Sequence, residues 1–104
     1  MKKYNLIVSD GAVADILDQG DWYALQSGPK LSNRWERAVT NSLLKLTKNP
    51  RTGPLCKFKA EEIRDVRRAP IPGFPKHLIF YRIDNEEILI LRVLHGAREL
   101  ESLF

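Results

Sequence analysis

Two apolar runs near the C-terminal end constrain the fold of this chain more than any other feature of its sequence. They occupy residues 77–83 and 88–95, and only a short polar stretch separates them. Runs rich in β-branched and aromatic residues with a short polar connection are typical of neighbouring antiparallel strands. A third run at residues 63–69 precedes them, so the sequence predicts a three-strand antiparallel meander.

The first half of the chain shows helical periodicity instead. A short apolar run at residues 4–8 is predicted to form a strand, and either Ser9 or Asp10 is expected to cap the helix that follows. Apolar residues then recur at helical spacing in two segments, which Gly28 and Pro29 separate. Because the connection is short, the two helices are expected to pack as an antiparallel hairpin.

The first helix is predicted to be apolar towards the core and acidic towards solvent. The residues expected on its buried face are Val13, Ile16, Leu17, Gly20 and either Tyr23 or Ala24, and those on or near the outer side are Asp15, Asp18 and Asp21. The aromatic residues Trp22, Tyr23 and Trp35 are expected to pack in the core or between the helices.

The order of these elements predicts an α+β fold. We expect a small antiparallel sheet with an N-terminal strand, a helical hairpin on one face, a three-strand meander and a short C-terminal helix after Gly96. The opposite sheet face is expected to stay partly open. A chain of 104 residues suits one domain, here residues 1–104.

Composition and motifs exclude several classes of protein. Hydrophobic residues make up 43% and charged residues 29%, as in an ordinary folded domain. No apolar run approaches the ~18 residues that span a bilayer, and the N-terminal residues lack the apolar region of a secretory signal, so we expect a cytoplasmic protein with no membrane partner. No phosphate-binding loop, nucleophile elbow or metal-ligand spacing is present, so no cofactor and no metal are predicted. Cys56 is expected to be a small packing residue.

The net charge of +4 is concentrated in one segment. Residues 48–68 hold seven basic against three acidic residues, whereas the rest of the chain is balanced. Such a block either attracts nucleic acid or an acidic protein or is simply a solvated loop, and charge alone does not decide between these readings. The basic residues that we single out in this segment are Lys57, Lys59, Arg64, Arg67 and Arg68.

Two arginines interrupt the most apolar strands. Arg82 and Arg92 must each be paired, or face solvent or a partner, because an isolated buried guanidinium is costly. An even-numbered turn between the strands would place them on opposite sheet faces, and an odd turn or a bulge would place them on one face. Together with His95 and Tyr81, these cations are sufficient in kind for metal-free RNA cleavage, but the sequence does not show where they lie.

The C-terminal third carries a family resemblance. The segment 68–83, with Gly73-Phe74-Pro75 and Tyr81-Arg82, and the segment 88–100, with Leu91-Arg92-Val93-Leu94-His95-Gly96, resemble the ending of ParE-type toxins of the RelE/ParE family. The earlier residues Asp21-Trp22-Tyr23, Asn49-Pro50 and Gly53 occur in the family's order. The resemblance therefore covers nearly the whole chain and implies the toxin of a type II toxin–antitoxin pair.

The resemblance also implies a target and a partner. RelE members cleave messenger RNA on the ribosome with Lys, Arg and an aromatic or His residue, whereas ParE members inhibit DNA gyrase without being enzymes. The tail at residues 99–104 has no Tyr or His, which favours the ParE branch, although Lys57, Lys59 and Arg64 lie roughly where RelE-like toxins keep basic residues. We expect a cognate ParD-like antitoxin, a role in plasmid stabilisation, no direct sequence-specific DNA binding and no catalytic residue. The target- or partner-binding residues are expected to be Lys57, Lys59, Arg64, Arg67, Arg68, Arg82, Arg92 and His95.

Overall fold

The computed structural model describes residues 4–103, which form an α+β fold around a four-stranded sheet of order β1-β4-β3-β2. The elements are β1 (Asn5–Val8), α1 (Asp10–Ser27), α2 (Pro29–Lys48), β2 (Arg67–Pro70), β3 (Leu78–Asp84), β4 (Glu87–Leu94) and α3 (Ala97–Glu101). The expected fold class and order of elements are confirmed. No helix among the described residues is long and apolar enough to cross a membrane.

The central hairpin combines a tight turn with a bulge. Asp84 pairs with Glu87, and Asn85 between them has a φ of 56°, a left-handed conformation that asparagine tolerates well. Further along, Phe80 pairs with Arg92 while the next residue of β3 pairs with Ile90, so β4 has one extra residue at this point. The bulge bends β4 and changes the direction of its last side chains.

The sheet is mixed rather than purely antiparallel. β1 joins the outer side of β4 in parallel, with Asn5 opposite Glu87 and Val8 opposite Ile90. Parallel pairing requires a long crossover, which the chain between the two strands provides. The antiparallel meander β2-β3-β4 matches the prediction, and only the direction of β1 differs.

Ser9 joins the start of α1 to the sheet. Its side-chain oxygen accepts a hydrogen bond from the Ala12 amide at 3.0 Å and donates one to the Leu91 carbonyl at 2.6 Å. The first bond caps the helix, and the second fixes its start against β4. At the other end, Gly28 has a φ of 85°, which lets the chain leave α1 and begin α2 at Pro29.

The two helices bury a core against one face of the sheet. Trp35 of α2 is completely buried, and its Nε1 donates to the Ile16 carbonyl at 3.0 Å. Gly20 of α1 brings the two helices close, since a Cβ there would lie 3.5 Å from the Trp35 ring. The other buried residues of this cluster include Val39, Leu43, Leu46, Ile79, Tyr81, Ile88 and Ile90.

The predicted buried face of α1 is partly wrong. Val13 is exposed and Leu17 is 55% exposed, whereas Ala12, Ile16 and Gly20 face the core. The helix carries apolar residues on both sides, so its periodicity does not identify a single inner face. Trp22, which was expected to pack in the core or between the helices, is exposed as well.

The opposite face of the sheet is covered, not open. The segment between α2 and β2 crosses it and buries Ile63 and Val66 against Phe80, together with Cys56, which confirms the packing role expected for the cysteine. Burial raises the pKa of the Cys56 thiol. The strand predicted at residues 63–69 therefore begins only at Arg67, because the preceding residues turn to bury their apolar side chains.

A buried tyrosine holds this segment in place. The hydroxyl of Tyr81 donates to the Pro50 carbonyl at 2.7 Å and accepts from the Gly53 amide at 3.1 Å. A Cβ at Gly53 would lie 2.5 Å from the Arg68 carbonyl oxygen, so the close approach of these two segments of the backbone requires glycine.

Candidate functional site

A cleft of about 740 Å³ lies between α1, the turn before β3 and the end of β4. Its chemistry comes from polar and aromatic side chains of these elements. They are Asp18, Trp22, Tyr23, Lys76, His77, His95 and Glu99.

Two histidines face each other in this cleft. The ring centroids of His77 and His95 are 5.3 Å apart, and the Tyr23 hydroxyl lies 3.1 Å from His77 Nε2. His77 is buried beside the Trp35 ring, whereas His95 is exposed. Burial lowers the pKa of His77, the neighbouring His95 lowers it further, and Glu99 acts in the opposite direction. His77 is therefore neutral near pH 7, and the cleft places a neutral imidazole next to a solvated one.

Glu99 fixes the end of the cleft. Its carboxylate accepts a hydrogen bond from the His95 backbone amide at 3.1 Å, which joins the start of α3 to the end of β4. Gly96 between them has a φ of 99°, a conformation that favours glycine. The chain thus turns sharply after β4, and this turn positions the His95 ring opposite His77.

Arg92 and Asp15 form a bidentate ion pair at the cleft wall. Arg92 donates from Nε to Asp15 Oδ2 at 2.7 Å and from Nη2 to Oδ1 at 2.8 Å, and the Val93 amide donates to Oδ2 at 2.9 Å. β1 ends opposite Ile90, so β4 has no strand partner on this edge beyond that residue. The Asp15 carboxylate accepts the hydrogen bond of the Val93 amide that a neighbouring strand would otherwise accept. The bonds to Asp15 raise the pKa of Arg92. The outer position expected for Asp15 is therefore wrong, because its carboxylate binds Arg92 and the Val93 amide at the edge of β4.

Arg82 is held on the other side of the sheet. Its Nη2 donates to Asp65 Oδ1 at 2.9 Å and to the Glu62 carbonyl, both in the segment that covers the second sheet face. The two strand arginines thus bind carboxylates from layers on opposite sides of the sheet. The turn has two residues, but the bulge in β4 pairs Arg92 with Phe80, two residues from Arg82, so the register alone would place both arginines on one face. Arg92 binds Asp15 of α1 at the β4 edge, beyond the end of β1.

The basic residues of the segment 48–68 lie outside the cleft lining. Lys57, Lys59, Arg64 and Arg68 are exposed, and Arg67 is half-buried, with Nη1 donating to the Gly53 carbonyl at 2.7 Å. None of the five lines the cleft. Of the binding residues proposed from the sequence, only His95 lines it, and Arg92 reaches its wall through Asp15.

Sequence reasoning missed Tyr23 and His77 as cleft residues. The sequence predicts Tyr23 in the core or between the helices, and His77 only as the first residue of an apolar run. Their proximity depends on packing between residues far apart in the chain, which no local pattern contains. Among the described residues, no group of His, Cys, Asp or Glu is arranged to hold a metal ion.

Comparison with known proteins identifies relatives of this arrangement. The family model described as "ParE toxin of type II toxin-antitoxin system, parDE" matches residues 6–100. Curated protein sequences give no significant match to the chain.

Solved structures share the fold. The chromosomal ParDE toxin–antitoxin system from P. aeruginosa contains a chain that superposes with a TM-score of 0.76 at 18% identity, covering 93% of this chain and 100% of that one. At this identity the match shows the fold alone. The toxin–antitoxin complex RelBE2 from Mycobacterium tuberculosis contains a chain with a TM-score of 0.59 at 25% identity, covering 93% of this chain and 95% of that one.

Proposed function

Because this chain belongs to the ParE toxin family of type II toxin–antitoxin systems, we propose that it arrests growth by inhibiting DNA gyrase and that a ParD-like antitoxin neutralises it. As a toxin of this class it has an antitoxin partner. The gyrase target and the identity of the antitoxin are the proposed steps.

The separation of the charged groups supports an inhibitor over a nuclease. Metal-free RNA cleavage needs a base, an acid and cations around one phosphate. In this chain Lys57, Lys59 and Arg64 belong to the segment that covers the second sheet face, and none of them lines the cleft that contains His95. Arg82 and Arg92 are already engaged with carboxylates. This distribution favours binding surfaces rather than a single reactive site.

One observation favours messenger-RNA cleavage as the second candidate. The facing pair His77 and His95, with Lys76 beside them, supplies an acid, a base and a cation in one cleft. Asp18 and Glu99 line the same cleft and repel a phosphate backbone, and for this reason we rank cleavage second.

The exposed basic segment supports an acidic antitoxin. Lys57, Lys59 and Arg64 are exposed on one side of the molecule, where an acidic segment that folds on binding would find complementary charge. Replacing Lys57 and Lys59 together by glutamate is expected to weaken antitoxin binding. Replacing Lys57 and Lys59 by arginine is the matched control, because it keeps the positive charge of the segment while changing the same two side chains.

Two assays run in parallel test the target. With the purified toxin, we expect loss of gyrase supercoiling and accumulation of gyrase-cleaved DNA, while messages in a reconstituted translation reaction stay intact. His95→Gln should leave gyrase inhibition unchanged if the cleft histidines are not part of the target contact. Cleaved messages that become intact with His95→Gln, together with unaffected supercoiling, would establish the nuclease and refute the inhibitor.

A further inference from the structure

The outer face of α1 is apolar and acidic and has no partner within the described chain. Residues at helical spacing alternate along it between carboxylates and apolar side chains: Asp10, Ala14, Leu17, Asp18, Asp21 and Leu25. Leu25 is 84% exposed, and no described side chain forms an ion pair with Asp10, Asp18 or Asp21. Exposed apolar side chains that recur on one helix face mark an interaction surface.

The outer face of α2 carries the opposite charge. Its basic residues recur at helical spacing and form one stripe: Lys30, Arg34, Arg37, Lys45 and Lys48. Leu44 lies beside this stripe and is 54% exposed. The buried residues Trp35, Val39 and Leu46 occupy the other side of the helix, so the stripe faces away from the core.

These two helices form a self-complementary surface. They lie side by side on one sheet face. Besides Asp15, which binds Arg92, α1 has three aspartates and no Lys or Arg, and α2 has five basic residues and one glutamate. We propose that a second copy of this chain docks on the hairpin, so that α1 of each copy lies against α2 of the other. A twofold axis parallel to the helices and midway between them produces this arrangement, because it carries each acidic helix over a basic one.

A second copy fits this surface better than other occupants. An acidic protein segment would match α2 but be repelled by α1, and a basic segment would have the reverse difficulty. Nucleic acid would meet the carboxylates of α1. The twofold contact matches both helices at once and covers Leu17, Leu25 and Leu44, which the single chain leaves exposed. This inference does not depend on gyrase being the target.

Sedimentation and light scattering across concentration and salt test the docking. We expect a concentration-dependent dimer at low ionic strength that weakens with added salt, because screening reduces attraction between exposed charges. Leu25→Lys should raise the dimer Kd by at least about tenfold, since it removes a buried leucine from the contact. Leu55→Lys is the control, because Leu55 is also an exposed leucine, at 51% exposed, but lies in the segment on the opposite sheet face.

Charge exchange between two variants gives the sharper test. One variant carries Asp18→Lys and Asp21→Lys, and the other carries Arg34→Glu and Arg37→Glu. Each should be monomeric alone, because its two substituted residues then face side chains of the same sign on the second copy. Mixed together they should form a heterodimer, since the reversed α1 of one variant then meets the reversed α2 of the other, and the unreversed α2 and α1 meet each other.

Circular dichroism and melting curves establish that both variants are folded before mixing. The proposal is overturned if the parent stays monomeric at every concentration, if either folded variant still dimerises alone, or if the mixture does not associate. A parent that is monomeric alone, with its hairpin protected from solvent only in the antitoxin complex, would identify the antitoxin as the occupant and also overturn the proposal.

Discussion

Replacing Arg92 by alanine removes both guanidinium bonds to Asp15 and leaves the carboxylate with only the Val93 amide as a donor. The side chains of Arg92 and Asp15 are 30% and 12% exposed, so the carboxylate is nearly buried while water reaches part of the guanidinium. A hydrogen bond to a charged group contributes about 1.5–3 kcal/mol net, and partial exposure of the arginine reduces the value. We therefore expect the free energy of unfolding to fall by about 2 kcal/mol. For a domain of this size that is a decrease in Tm of roughly 10 °C.

Thermal and urea unfolding measure this loss, and two variants separate its causes. Arg92→Lys keeps the charge but cannot form the bidentate pair, and Asp15→Asn keeps an acceptor for the Val93 amide but loses the ion pair. Both should lose less stability than Arg92→Ala. The double variant Asp15→Ala with Arg92→Ala should be more stable than the sum of the single losses implies, because no lone charge remains.

Toxicity provides the independent readout for Arg92. If the residue acts through the fold, residual toxicity should follow the folded fraction of each variant. An Arg92→Ala protein that melts like the parent and yet has lost toxicity would refute the structural role and assign Arg92 to the target contact.

Three further expectations concern the buried segment and the cleft. Tyr81→Phe should lower the free energy of unfolding by about 1–3 kcal/mol in urea, because it leaves the Gly53 amide and the Pro50 carbonyl without their partner. Gly53→Ala should destabilise at least as much, since its methyl group collides with the Arg68 carbonyl oxygen, and equal stability of parent and variant would contradict the observed approach. His77 has a folded pKa below its ordinary 6.5, so its contribution to stability is complete above that pH and declines as the pH falls below it. His77→Gln should therefore reduce the loss of unfolding free energy with falling pH in this range. An unchanged slope of unfolding free energy against pH would show that another group titrates.

The sequence predicts the helices and strands better than it predicts which of their faces are buried. The β3-β4 hairpin and the two helices follow from local patterns, because strand alternation, helical spacing and the Gly28-Pro29 break are properties of neighbouring residues. The buried face of α1 was only partly predictable, since apolar residues lie on both of its sides. One of those sides, with Leu17 and Leu25, faces solvent in the single chain.

The site was less predictable because it depends on contacts between distant parts of the chain. Asp15 is separated from Arg92 by 77 positions, and no local pattern indicates which carboxylate each strand arginine selects. Tyr23 and His77 likewise meet only through packing. The charge pattern correctly located an exposed basic segment. It did not indicate where this segment packs, because that depends on the contact of Ile63 and Val66 with Phe80 on the sheet.

The parallel pairing of β1 with β4 determines when this protein can become folded during its synthesis. β1 leaves the ribosome before its partner β4, and the bond from Ser9 to the Leu91 carbonyl spans 82 positions. Until β4 emerges, the helical hairpin lacks most of the sheet against which it packs, and forming contacts so far apart is slow. A growing chain therefore remains incompletely folded until residues 87–94 have left the ribosome, however early its helices form.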